Sequence, residues 1–104
     1  MEDQIIGYAE SLLKPLLSYP EELLVKKYED VEKPEPYTLY LSIKVNDQDI
    51  STVIGKQGAT IMAMRRLVTV LGRHFRIGVR IAIVEKTGQV SFYDQRQPER
   101  TEAN

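Results

Sequence analysis

Residues 37–46, Tyr-Thr-Leu-Tyr-Leu-Ser-Ile-Lys-Val-Asn, alternate apolar and polar five times without a break. Successive side chains of an extended chain point to opposite faces, so Tyr37, Leu39, Leu41, Ile43 and Val45 share one side, with Thr38, Tyr40, Ser42, Lys44 and Asn46 on the other. The pattern predicts an antiparallel strand with one buried face. Immediately afterwards the periodicity changes to that of a helix, and together with the order of the flanking elements this gives an α+β domain.

The flanking segments fill in the plan. Residues 3–18 predict an amphipathic helix through Ile5, Ile6, Ala9, Leu12, Leu13, Leu16 and Leu17, with Glu2 and Asp3 at the positive end of its dipole. Pro15 removes a backbone donor and predicts a kink or a tightened last turn, and Tyr19-Pro20 ends the helix. Residues 23–30 predict a strand. Asn46 and Asp47 suit the N-cap of a short helix over 48–54, and Asp47 and Asp49 read as carboxylates that accept backbone N–H bonds. Residues 59–72 give a second helical stripe of Ile61, Met64, Leu67, Val68 and Leu71, with Gly72 as its C-terminal cap and His74 a charge near its end. Residues 76–86 alternate again. The expected order is αββααβ, a three-stranded sheet with three helices packed on one face. The domain is expected at 1–87 and a largely disordered polar tail at 88–104, where Val90–Tyr93 could add only a short edge strand.

Gly55 and Gly58 bracket Lys56 and Gln57 between two helices. A P-loop requires four residues between its glycines and a following Lys-Ser/Thr, and a dinucleotide fingerprint requires a third glycine after a strand; neither is present. A helix-turn-helix is compatible with the turn, but strands flank it on both sides. A glycine pair in this position lets a sugar-phosphate backbone approach the main chain, the next helix opens with unsatisfied N–H groups, and Lys56 adds a cation. Ile54 and Met62 are placed to floor a groove for unstacked bases.

The chain has a net charge of −1, and its distribution is uneven. Residues 1–46 hold nine acids and five bases, whereas 47–80 hold Asp47 and Asp49 against Lys56, Arg65, Arg66, Arg73, Arg76 and Arg80, a local excess of four positive charges. Arg65, Arg66 and Arg80 are therefore candidate phosphate contacts. There is no cysteine, a single histidine and no cluster with metal-ligand spacing, so neither a catalytic residue, a metal, a cofactor nor a small-molecule substrate is expected. The acidic N-terminus and the absence of a long apolar run predict a cytoplasmic protein away from the membrane.

Residues 53–61, Val-Ile-Gly-Lys-Gln-Gly-Ala-Thr-Ile, resemble the KH-domain signature, a Val/Ile-Ile-Gly-x-x-Gly-x-x-Ile string joining two helices. The order of elements resembles the bacterial, type II arrangement. Residues 3–85 are similar to the short KhpA-type proteins, on Leu13-Lys14-Pro15-Leu16, the Tyr19-Pro20-Glu21 stop and the Ile54–Gly58 loop. The resemblance implies a loop that clamps about four nucleotides of single-stranded RNA. It puts Gly55 and Gly58 at the backbone-approach positions, Lys56 and Gln57 toward phosphate, Ile54 beside the groove and Ile61 beneath it. It also implies self-association or pairing with a larger KH protein of the KhpB/Jag type, and a part in bacterial cell elongation and division. A KH fold serving only as a protein-interaction module, or a ribosome-assembly factor, are the other readings.

Overall fold

A computed structural model describes residues 1–93. The first helix, α1, covers Glu2–Leu13 and buries Ile5, Ala9 and Leu13. Pro15 produces the tightened turn: Lys14–Leu16 is 3-10, and Pro20 opens another such turn over Pro20–Glu22. Strand β1 is Leu24–Lys27, shorter than the predicted 23–30, with most of the difference at Tyr28, Glu29 and Asp30. Strand β2 is Thr38–Lys44. Asn46 caps the next turn by accepting the Gln48 N–H at 2.8 Å, and α2 follows over Ile50–Ile54. The long helix α3 is Ala59–His74, and β3 is Gly78–Val84.

The sheet differs from expectation in two ways. It has four strands in the order β1-β2-β3-β4, the fourth being Val90–Tyr93, so that segment belongs to the sheet and not to a tail. The cause is local: Gly88 adopts φ +92 and the Glu85–Gln89 turn closes with bonds of 2.8 Å, folding the chain back antiparallel on β3. The remainder of the expected tail lies outside the described residues. Second, β2 is an interior strand of mixed pairing, antiparallel to β1 but parallel to β3, with α2 and α3 forming the crossover that parallel pairing requires. Tyr40 and Ser42, expected to face solvent, are consequently shaded by neighbours on both sides. Tyr37 leaves the pattern altogether, at φ 53 and 83 % exposed, because it turns the chain into the strand.

Leu39, Leu41 and Ile43 of β2 and Val79, Ile81 and Ile83 of β3 meet Ile5, Ala9, Leu13, Val53, Ile61, Met64 and Val68 in one core. Gly72 is not the helix cap. It lies inside α3 because a Cβ there would stand 2.7 Å from Val79 Cγ2 and 2.9 Å from the Ile77 carbonyl; the glycine allows helix and strand to touch. The left-handed residue that turns the chain after α3 is Arg76, at φ 63. Among the described residues no helix is long and apolar enough to cross a membrane.

Candidate nucleic-acid interface

Gly55 ends α2. Its N–H donates to the Ser51 carbonyl at 2.8 Å, and its φ 81, ψ 168 is a conformation essentially confined to glycine. A Cβ at this position would lie 2.6 Å from the Thr60 backbone nitrogen, so the loop is packed directly on the first turn of α3. Lys56–Gly58 then make one 3-10 turn, closed by the Gly58 N–H to the Gly55 carbonyl at 3.0 Å. Gln57 (φ 56, ψ 28) and Gly58 (φ 78, ψ 13) are both left-handed. A Cβ on Gly58 would meet nothing within 4 Å, which leaves the outer side of the turn open.

Lys56 and Gln57 are exposed, and Ile54 is half-buried against the core. No side chain caps α3, so the N–H groups of its first turn face the loop. They carry the positive end of a 16-residue helix dipole.

The faces of α3 follow from 100° per residue. Ile61, Met64, Val68 and Gly72 are buried toward the sheet. Thr60, Ala63 and Leu67 turn to α1, where with Leu12, Leu13 and Leu16 they line a small apolar groove of about 140 Å³. The flank opposite α1 therefore carries Gly58, Arg65 and Thr69, bordered by Met62, while Arg66, Val70 and Arg73 point outward. Arg65, Arg66, Thr69, Val70 and Arg73 line a depression of about 320 Å³ with no acidic residue in it. Thr69 Oγ donates to the Arg65 carbonyl at 2.7 Å, and Arg65 Nε is buried with no hydrogen-bond partner among the described residues.

Arg65 and Gly58 thus share a flank, Arg66 sits one step outward, and Arg73, counted from the sequence only in the local excess of positive charge, joins them. Its spacing of seven and eight from Arg66 and Arg65 was the available signal.

That flank faces the β4 edge of the sheet, since α1 packs on β1 and α3 packs on β3 and β4. Ser91 and Tyr93 are in register with the core residues Ile83 and Ile81, so they lie on the helix side of this edge. Tyr93 packs against the core, and burial, with the Glu85 carboxylate a lesser cause, pushes its phenol above the usual 10.0. The glycine turn, the Arg65 flank and the helix side of the β4 edge thus lie along one side of the domain, which makes the space between them the candidate cleft. Arg80 does not enter it. In register with Tyr40, it lies on the face turned away from the helices, 3.8 Å from Glu35 and 5.8 Å from the centre of the Phe92 ring.

The family model for the KH domain of KhpA/KhpB matches residues 7–83. The chain belongs to the KhpA/KhpB KH-domain family. It is 32 % identical over 85 residues to the RNA-binding protein KhpA of Listeria monocytogenes, covering 82 % of this chain and 100 % of that one. With the RNA-binding protein KhpA of Streptococcus pneumoniae it shares 34 % over 84 residues, 81 % of this chain and 99 % of the relative. The Thermotoga maritima protein of the same name is 36 % identical over 62 residues, 60 % of this chain and 76 % of its own. No solved structure matches the chain. The strand β4 lies beyond the part matched by the KhpA/KhpB family model.

Proposed function

We propose that this protein binds single-stranded RNA, holding the sugar-phosphate backbone on the Gly55–Gly58 turn. The observation that carries the reading is the turn itself. Gly55, Gln57 and Gly58 all have positive φ, and they present main chain and an uncapped helix N-terminus outward with Lys56 beside them. Phosphate oxygens accept from those N–H groups and from Lys56, and a backbone contact of this kind positions the strand without reading its sequence. The unstacked bases fall into the cleft, against Ile54 and Met62 on one wall and Tyr93 on the other, while Arg65 and Arg66 continue the phosphate path along α3. With few cations in the path, the affinity falls only shallowly with salt.

On this reading the protein is a cytoplasmic post-transcriptional regulator or RNA chaperone without catalytic activity, its KH domain spanning residues 1–87 with β4 an addition to it. The exposed Leu16 and Leu67 beside the α1–α3 groove support a second element, association with another copy or with a larger KhpB/Jag-type protein in the control of cell elongation and division. The test is the double substitution Lys56→Asp with Gln57→Asp, which places two negative charges where phosphates bind. RNA crosslinking is expected to vanish with the fold and any partner binding intact; crosslinking at the wild-type level would favour the interaction-module reading.

A further inference from the structure

Among the described residues, helices cover only one face of the sheet. The other face is built from Leu24 and Lys26 of β1, alternate residues of β2 and β3 from Thr38 to Lys44 and Gly78 to Val84, and Val90 and Phe92 of β4. None of these positions is acidic, and Lys26, Lys44 and Arg80 are cationic. A trough of about 460 Å³ crosses the face, lined at one end by Leu24, Lys26, Lys44, Val84 and Val90 and continuing past Tyr28 to Glu29 and Asp30. Lys26 stands opposite Ser42 and Lys44 opposite Leu24, so the two lysines are at diagonally neighbouring positions on one surface. Diagonal neighbours lie roughly 7–8 Å apart, and like charges so placed repel. Both lysines are exposed, and neither has an ion pair among the described residues. Glu29 is engaged by Lys27 at 4.0 Å, which leaves the lysine end of the trough positive.

Beside that end lie aromatic rings. Phe92 packs edge-on to Tyr28 and Tyr40, at 5.7 and 5.8 Å between centroids, and both Phe92 and Tyr28 keep part of their surface in solvent.

We propose that this open face is a second single-stranded RNA site, where Lys26 and Lys44 hold a phosphate and the ring of Tyr28 or Phe92 stacks a base. Stacking rings beside a positive groove are the general requirement for holding single strands. An acidic protein partner would leave the rings without a role. The proposal rests on the reading of the chain as an RNA binder, but on residues separate from the glycine turn.

The experiment compares fluorescence anisotropy for single-stranded RNAs of about 4 and roughly 25 nucleotides, since only the longer one can engage two linked sites at once. The proteins are the wild type, the variant Lys26→Glu with Lys44→Glu, and the charge-matched control Lys14→Glu with Lys33→Glu, all checked for unchanged unfolding midpoints. The Lys26/Lys44 variant is expected to bind the short RNA as the wild type does and the long RNA about 10-fold more weakly, with the control unchanged. Unaltered long-RNA affinity would overturn the proposal, as would an equal loss in the control, which would leave only long-range electrostatics. The Lys56→Asp/Gln57→Asp variant is read separately. If it keeps short-RNA binding, the glycine turn is at fault, while the long-RNA comparison still reports on the open face.

Discussion

Asp49 is only 1 % exposed, and its carboxylate accepts the N–H groups of Ser18 and Tyr19, each at 2.9 Å. The sequence identified the chemistry, a carboxylate that accepts backbone N–H bonds, but not the partners, which lie thirty residues upstream in the exit from α1. Local spacing carries no information about such a contact. Asp49→Ala leaves two donors without an acceptor and is expected to cost about 3 kcal/mol in urea unfolding, with Asp49→Asn intermediate because it keeps one acceptor oxygen. The glycines of the turn divide in the same manner. Both were legible as a pair, yet only the structure separates their reasons. Gly55→Ala meets Thr60 as well as backbone strain, so a loss of about 2–3 kcal/mol is expected. Gly58→Ala meets strain alone and is expected to cost about 1 kcal/mol. Gln57→Gly relieves a left-handed residue and is expected to be neutral or stabilising by up to about 1 kcal/mol. Equal losses for the two alanine variants would contradict this division.

Elements with strong periodicity were legible to within a few residues: α1, the tightened turn at Pro15, α2 and α3 all follow from apolar spacing, caps and proline. What periodicity could not give was pairing. Parallel alignment of β2 with β3 is set by the crossover through α2 and α3, and β4, beyond the glycine turn at Gly88, is held by packing of Phe92 and Tyr93, which a four-residue run does not announce. Tyr93 makes β4 sensitive to pH in a defined direction. Its phenol is raised in the folded state by burial and by Glu85, so the folded protein holds the proton that the unfolded chain releases near 10.0. The corresponding stability is complete below that pH and is lost as pH rises through the higher folded value. Unfolding midpoints measured from pH 8 upward are therefore expected to fall more steeply for the wild type than for Tyr93→Phe. Parallel curves would show that Tyr93 is not protonation-linked to folding.

At the scale of the molecule, an acidic chain of net charge −1 places three of its seven arginines on one helix and its glycine turn at the start of that helix. The glycine turn and Arg65–Arg66 were legible because they are close in sequence; the far wall of the cleft was not, since Tyr93 reaches it through a strand assigned to the tail. On the proposed reading a strand of RNA lies along Gly55–Gly58 and the adjacent flank of α3. The direct measurement is the map of backbone amide NMR shifts on adding a single-stranded RNA of about four nucleotides, the length one such clamp holds. The largest shifts are predicted at Gly55–Thr60, with smaller ones at Arg65, Thr69 and Tyr93. Shifts confined to the α1–α3 groove around Leu12, Leu16 and Leu67, with the glycine turn unmoved, would contradict the account.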